Sequence, residues 1–227
     1  DWFRNRIIFP IHNNRGKVIA FGGRILNNDD QPKYLNSREN DVFKKGSELY
    51  NLHRAKSAIV QQEISVVVEG YMDVIALAQH GIDNCVATLG TATSAVHLQK
   101  LFRLGPSIVF CFDGDRAGRD AAWRALETAM PLLEGGRQVS FLFLPDSEDP
   151  DSVIRKQGAD TFRTLIESAT PLPDILFDTL LKQTDLARMD GKARLATLAR
   201  PLLSRIPEGP LRELMQQRLS DLTGVTP

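Results

Sequence analysis

The chain has 227 residues, 42% hydrophobic and 25% charged, and its 28 Lys and Arg balance its 28 Asp and Glu. It contains no run of about 20 apolar residues and no signal-peptide pattern, which excludes a membrane partner and favours a cytoplasmic protein. The only cysteines, Cys85 and Cys111, lie inside predicted strands, so we expect buried thiols and neither a disulfide nor a zinc site in this chain.

The amino-terminal part predicts a small mixed α/β unit over residues 1–60. Apolar residues 7–11 and 18–21 flank a turn-forming segment, which indicates an antiparallel hairpin. This unit carries 11 Lys and Arg against 6 Asp and Glu, whereas residues 61–168 carry 9 against 15, and residues 169–227 carry 8 against 7. A basic unit therefore adjoins an acidic one, and we expect the basic unit to attract phosphates.

Four apolar strands are predicted in the middle unit, at residues 64–68, 84–89, 107–112 and 139–144. A helical pattern follows each of them. This alternation predicts an α/β fold, α+β over the whole chain, in which helices flank a mostly parallel sheet. The last unit predicts a helical bundle, with helices at about 174–182, 191–204 and 210–222.

Carboxylates follow three of the predicted strands: Glu69, then Asp113 and Asp115, then Asp149 and Asp151. Because the carboxyl ends of parallel strands meet at one edge of a sheet, we expect these side chains to converge. Carboxylates that lie close together repel unless cations neutralise them, and their hard oxygens suit Mg²⁺. The alternative for each Asp pair is the capping of the helix that follows.

Three acidic segments of this chain resemble the motifs of the Toprim fold in the form carried by bacterial replicative primases of the DnaG type. They are Val-Glu-Gly-Tyr-Met-Asp-Val at 68–74, Asp-Gly-Asp-Arg-Ala-Gly at 113–118 and Glu-Asp-Pro-Asp at 148–151. Residues 9–11, 21–24, 32–37 and 43–46 resemble the amino-terminal part of the same catalytic core. The resemblance extends over nearly the whole chain.

The resemblance implies synthesis of short RNA primers on single-stranded DNA for replication, by metal-dependent nucleotidyl transfer from ribonucleoside triphosphates. The implied cofactor is Mg²⁺ or Mn²⁺, with more than one ion bound. The resemblance assigns catalysis to Glu69, Asp113 and Asp115. It assigns metal binding to the same three residues together with Asp149 and Asp151, and a supporting role to Asp73. Whether Glu69 is a ligand or a general base stays open.

Nucleic-acid and nucleotide contacts are expected in the basic unit. Arg24 follows two glycines that permit close backbone approach, and Lys33 stands beside Tyr34 and Asn36, where the ring is able to stack on a base. Lys45 is a further candidate, with a merely solvated lysine as the alternative. By the same reasoning, Gly114 and Gly118 are expected to let phosphates or metal approach the backbone.

The family's partners follow from the same resemblance: the DNA template, the RNA–DNA hybrid, the replicative helicase and the single-strand binding protein. We expect the zinc module and the helicase-binding domain to be missing from this chain, so we expect the last two partners to be bound through parts absent here. We also expect a monomer. The alternatives are a non-catalytic nucleic-acid-binding scaffold and a Toprim-type topoisomerase or nuclease. A topoisomerase needs a tyrosine nucleophile that this chain has no separate domain to present.

Overall fold

The computed structural model describes residues 2–27 and 31–225, so the ends of the predicted units at Asp1 and at residues 226–227 lie outside the described residues. In chain order the elements are β1 (Arg6–His12), β2 (Val18–Ile25), β3 (Tyr34–Asn36), α1 (Leu52–Gln62), β4 (Ile64–Val68), α2 (Tyr71–Gln79), β5 (Cys85–Ala87), α3 (Ala95–Phe102), β6 (Ser107–Phe112), α4 (Arg116–Ala129), β7 (Gln138–Phe143), α5 (Pro150–Glu167), β8 (Thr170–Pro171), α6 (Leu172–Leu181), α7 (Met189–Leu203) and α8 (Pro210–Thr223). A short 3₁₀ turn, Met130–Leu132, extends α4.

The first sheet is a three-stranded antiparallel meander in the order β1-β2-β3. The predicted hairpin is confirmed, with Phe9 opposite Gly22 in its register. Its turn is held by the Asn13 side chain, whose Oδ1 accepts from the backbone N–H of Arg15 at 3.0 Å and of Lys17 at 3.1 Å. Gly16 takes the left-handed φ of 77° that closes this turn.

The main sheet has the order β5-β4-β6-β7-β8. The four strands from β4 to β7 are parallel, which confirms the prediction, and β8 adds an antiparallel edge. Residues on one face, such as Val67 and Phe110, share a core with α1, α3, α4 and the carboxyl-terminal helices. Residues on the other face, such as Val66 and Cys111, pack against α2 and α5. The strands read as continuous apolar runs because both faces are covered.

The carboxyl-terminal helices α6, α7 and α8 are present as predicted. They bury Phe177, Leu195 and Leu219 against the same core that α4 covers. Within the two described ranges, no helix has the length and apolar character needed to cross a membrane. The predicted unit boundaries stay a prediction; α1 crosses the first of them, and β8 lies just beyond the second.

Helix α5 begins three residues earlier than the sequence pattern indicated, at Pro150 rather than Val153. The reason is a capping box: the Ser152 backbone N–H donates to Asp149 Oδ1 at 2.7 Å, and the Asp149 N–H donates to Ser152 Oγ at 3.0 Å. Gly158, with a φ of 83°, breaks the helix further on. The acidic loop after β7 is therefore shorter than expected, and Asp149 ends it.

Candidate active site at the carboxyl edge of the parallel sheet

The carboxyl ends of the parallel strands open into a cleft of about 470 Å³, which faces the amino-terminal sheet. Glu69 directly follows β4, and Asp113 directly follows the neighbouring strand β6. Nine of the predicted site residues line this cleft: Arg24, Lys33, Tyr34, Asn36, Glu69, Asp73, Asp113, Asp149 and Asp151. The two chain regions predicted to bind phosphates and to carry the carboxylates thus form opposite walls of one site.

Two predicted site residues, Asp115 and Lys45, do not line the cleft. Asp115 is close enough that its charge raises the pKa of both Glu69 and Asp113. Lys45 is tied into the structure through its backbone, where its carbonyl accepts from Nε2 of the buried His97 at 3.0 Å. The other ring nitrogen, Nδ1, accepts from the Ser94 N–H at 3.2 Å, so the proton resides on Nε2. The role predicted for Lys45 gains no support from its placement.

Most of the carboxylates at the carboxyl edge of the sheet also accept a helix-capping hydrogen bond or form an ion pair. Asp115 caps α4 by accepting from the Gly118 N–H at 2.7 Å, and Asp149 caps α5. Asp73 accepts from the Gly70 N–H at 3.1 Å at the start of α2. Asp151 forms an ion pair with Arg155 at 2.5 Å. The capping alternative is therefore correct for Asp115 and Asp149, and each keeps a second carboxylate oxygen for other contacts.

Glu69 and Asp113 differ from the capping acids. Across residues 2–27 and 31–225, neither side chain accepts a hydrogen bond or forms an ion pair. Partial removal from water raises the pKa of both carboxyls, followed in size by repulsion from Asp113 and Asp115 at Glu69, and from Asp115 and Asp149 at Asp113. These two unpaired carboxylates are the ones that a cation would stabilise most.

The Asp73 carboxyl has the most strongly shifted pKa of the acids in the cleft. Burial, then the charge of Asp149, raise its pKa to about 7, although the Gly70 N–H acts in the opposite direction. Weaker contributions come from Asp113 and Asp151. The carboxylates thus share one electrostatic field, and the ionised form of Asp73 is unfavourable unless positive charge enters the cleft.

The donor chemistry of the edge fits a hard divalent cation, because its free ligands are carboxylate oxygens. In the parts of the chain that the structure describes, no three His, Cys, Asp or Glu side chains are gathered around one point as a finished metal site. Glu69 and Asp113 are therefore the residues best placed to hold a metal. The wider ligand set that includes Asp115, Asp149 and Asp151 stays a prediction.

The opposite wall is basic and aromatic. The Arg24 guanidinium lies over the Tyr34 ring, 5.5 Å from its centroid. Lys33 and Tyr34 are exposed, whereas Arg24 is half-buried. The pKa of Tyr34 is raised by burial, against the effect of Arg24, and further by Asp73 and Asp149 across the cleft. The Arg24 guanidinium lines the cleft beside this ring and forms no ion pair among the described residues, so it is available to a phosphate.

A hydrogen-bonded clasp joins the two walls. The Tyr71 hydroxyl donates to Asn36 Oδ1, and Asn36 Nδ2 donates to the Leu89 carbonyl at 2.8 Å. The Tyr71 ring stacks on Phe9 with centroids 5.2 Å apart, and a Cβ on Gly22 would lie 2.7 Å from that ring. Asn36 thus has a structural function, and Gly22 is a glycine because Tyr71 occupies the space of a side chain.

The glycines of the acidic segment have a structural purpose that the sequence reasoning missed. A Cβ on Gly114 would lie 2.2 Å from the Leu144 carbonyl oxygen, and one on Gly118 would lie 2.1 Å from the Asp113 carbonyl oxygen. Both glycines are buried, so the expectation that they leave space for phosphate or metal is wrong. They let the start of α4 pack against its own strand end and against β7, which positions Asp113.

Sequence reasoning also passed over the loop after β5. Thr88 and Gly90 line the cleft beside Glu69. Their signal was available, since residues that follow a parallel strand lie at the same edge as the acids. They escaped notice because they carry no charge.

A sheet of four parallel strands, three of which are followed by carboxylates that gather at one edge, is the architecture of a Toprim-like protein, a class that uses divalent metal. Residues 66–154 match the family model described as Toprim-like. Residues 1–56 match the amino-terminal domain of the DNA primase catalytic core, and residues 176–227 match the DnaB-helicase binding domain of primase.

Known primases are similar over the whole chain. The DNA primase of Pseudomonas aeruginosa is 59% identical over 227 residues, and that of Escherichia coli K12 is 54% identical over 225. The chain spans only 34% and 39% of those two proteins. A crystal structure of a DNA primase domain from Pseudomonas aeruginosa has a TM-score of 0.96 at 58% identity, and this chain covers 70% of it. This chain belongs to the DnaG-type bacterial DNA primases and corresponds to part of their catalytic core.

One further relative is a DnaG primase catalytic domain bound to single-stranded DNA, with a TM-score of 0.95 at 53% identity; the two chains overlap over 100% of this chain and 71% of that one.

The match at residues 176–227 corrects one expectation. We expected the helicase-binding domain to be missing, yet the segment that forms α6, α7 and α8 matches a domain of that description. Its helices were predicted, but helical periodicity alone carries no signal of a partner.

Proposed function

We propose that this chain forms the centre of a DNA-directed RNA polymerase that synthesises short RNA primers on single-stranded DNA. The observation that supports this most directly is the common cleft, in which Glu69 and Asp113 face Arg24 and Lys33. Nucleotidyl transfer needs both walls, because the carboxylates serve the reacting centre and the cations hold the anionic substrates. The primase relatives, more than half identical to this chain, support the same reaction.

In the proposed reaction, the 3′-oxygen of the growing RNA bonds to the α-phosphorus of a ribonucleoside triphosphate. The bond between the α-phosphorus and the bridging oxygen breaks, pyrophosphate leaves, and the hydroxyl proton passes to a carboxylate or to water. Arg24 and Lys33 bind the triphosphate, which keeps its α-phosphorus near the acidic edge. Glu69 is suited to accept the proton or to hold a cation, since its carboxylate has no bond to break first.

Glu69 and Asp113 are the proposed ligands of Mg²⁺ or Mn²⁺, with the second oxygens of Asp115 and Asp149 available to a further ion. Such ions activate the attacking hydroxyl and neutralise the charge on the leaving group. Asp73 supports the set by its charge. In the absence of cations, burial and mutual repulsion raise the pKa of Glu69, Asp73 and Asp113, that of Asp73 to about 7, so a bound cation would favour the ionised forms and metal binding would be coupled to proton release at Asp73.

The proposed partners bind at two places, the cleft and the carboxyl-terminal helices. We assign the DNA template and the RNA–DNA hybrid to the cleft and its basic wall, and the replicative helicase to residues 176–227. We assign binding of the single-strand binding protein to parts of the longer primase relatives that this chain does not cover. We propose a monomer that acts at the replication fork in the cytoplasm.

The test is incorporation of labelled ribonucleotides on single-stranded DNA, with and without a pre-annealed RNA primer, in Mg²⁺ or Mn²⁺. Asp113→Asn should reduce synthesis by about a hundredfold or more, because it removes an unpaired carboxylate at the centre of the edge. The matched control is Asp120→Asn on α4, an exposed acid away from the cleft, which should retain full synthesis. Equal synthesis by Asp113→Asn and the native chain would refute the assignment.

A non-catalytic scaffold is the second candidate, favoured by the capping bonds of Asp115 and Asp149, which a purely structural role explains. It predicts binding of single-stranded DNA without incorporation, even from a pre-annealed primer. The topoisomerase alternative has less support. Tyr71 is buried and bonded to Asn36, and Tyr50 packs edge-on against it. Tyr34 is exposed in the cleft, but burial of part of its ring and the charges of Asp73 and Asp149 raise its pKa, which disfavours the nucleophilic phenolate.

A further inference from the structure

A second cavity of about 260 Å³ adjoins the cleft on the side away from the basic sheet. Its lining includes Glu69, Thr88, Gly90, Thr91, Thr93 and Arg124. Glu69, Thr88 and Gly90 also line the larger cleft, so Glu69 stands between two spaces. The cavity is below the roughly 300 Å³ at which pockets for whole small ligands begin, so it suits one sugar-phosphate unit.

The walls of this cavity offer polar groups that have no partner within the protein. Over the described residues, the hydroxyls of Thr88, Thr91 and Thr93 make no hydrogen bond, and neither do the backbone N–H groups of residues 89–93. Gly90 takes a left-handed φ of 74°, which turns this loop around the cavity. Gly90, Thr91 and Ala92 are exposed, and Thr88 and Thr93 are half-buried, so these groups are open to water and to a ligand that enters the cavity.

Arg124 provides the single cation of the cavity lining. It lies on α4, is exposed, and its guanidinium forms no ion pair in the described part of the chain; only its backbone carbonyl is used, by the Thr128 hydroxyl at 2.8 Å. Among the described residues that line the cavity, Glu69 provides the single carboxylate. A sugar-phosphate matches both groups, because it offers a hydroxyl to Glu69 and a phosphate to Arg124, with further hydroxyls for the threonines.

We propose that this cavity binds the 3′-terminal sugar and phosphate of the RNA primer, while the larger cleft binds the incoming triphosphate. This inference rests on the proposed function and adds the location of the second substrate. Arg124 holds the last phosphodiester, the residues 88–93 hold the ribose, and Glu69 stands at the junction where the 3′-oxygen bonds to the α-phosphorus and pyrophosphate leaves. Because Lys33 and Arg24 lie only in the larger cleft, the two substrates have separate cationic contacts.

The experiment measures two affinities by fluorescence anisotropy: that for a DNA template carrying an RNA primer with a recessed 3′ end, and that for the bare template. Arg124→Ala should weaken binding of the primed template about five- to tenfold, as expected for the loss of one charge-assisted hydrogen bond, and leave the bare template unchanged. Arg103→Ala, an exposed arginine outside both spaces, is the matched control and should change neither. Thr91→Val should act in the same direction as Arg124→Ala, but less strongly.

Primer extension gives the second readout. Arg124→Ala should raise KM for the primed template and leave KM for the ribonucleotide unchanged, and Arg124→Lys should recover part of the loss. Equal affinities of Arg124→Ala and the native chain for the primed template, or equal weakening for primed and bare templates, would overturn the proposal. A native chain that extends no primer would refute the proposed function instead, and the binding comparison would still decide the cavity.

Discussion

Asp73 provides a test of the electrostatics of the cleft that needs no substrate. Its pKa of about 7, against 3.8 for the unperturbed group, means that the folded state opposes ionisation of this carboxyl. The stability that Asp73 contributes is present in full below pH 3.8 and is lost as pH rises towards 7. A difference of about 3 pH units corresponds to about 4 kcal/mol as an upper bound, and partial exposure reduces this to about 2 kcal/mol.

Asp73→Asn removes the charge and retains an oxygen that is able to accept from the Gly70 N–H. In urea unfolding without divalent cations, the variant should be more stable than the native chain by about 2 kcal/mol at pH 8, and by less than half of that at pH 5. Asp120→Asn, the exposed control on α4, should show no such pH-dependent gain. A native chain as stable as Asp73→Asn at both pH values would show that the carboxylates of the cleft do not repel as the structure indicates.

Three further outcomes are expected. Gly118→Ala should lower stability by about 2–3 kcal/mol in urea unfolding, because the new Cβ meets the Asp113 carbonyl oxygen, whereas Gly46→Ala, with open space around it, should be neutral; equal midpoints would contradict this. Burial lowers the pKa of His97 below 6.5, so native stability should fall as pH drops from 7 to 5.5, and His97→Gln should show a flatter dependence. If Lys33 also contacts the template, Lys33→Ala should weaken single-stranded DNA binding and reduce the salt slope by about 1; an unchanged slope would exclude a template phosphate contact and leave the triphosphate as its partner.

Local patterns were sufficient for the main sheet and its acidic edge. Strand β4 and strand β6 are continuous apolar runs because both of their faces are covered, and such runs stand out in a sequence. A carboxylate that follows such a strand is placed by the topology alone. The convergence of Glu69 and Asp113 therefore required no knowledge of distant contacts.

Features that depend on tertiary contacts were not accessible in that way. Strand β3 is only three residues long and exists because it pairs with β2, and β8 has two residues that pair with β7. The buried surroundings of Gly114 are formed by the Leu144 carbonyl, 30 residues away in the chain. A glycine that accommodates a distant carbonyl and a glycine that accommodates a ligand look alike in a sequence.

The contacts around Tyr71 make the amino-terminal sheet and the parallel-sheet unit depend on each other. Phe9, Ile11, Ala20, Phe43, Tyr71 and Leu89 form one hydrophobic cluster, to which the amino-terminal sheet and the parallel-sheet unit both contribute. A Toprim-like unit cut out at its own boundaries would expose Tyr71 and Leu89 to water and would lose the partner of the Tyr71 hydroxyl. Exchange of one unit without the other would therefore break this shared cluster and with it the alignment of the two walls of the cleft.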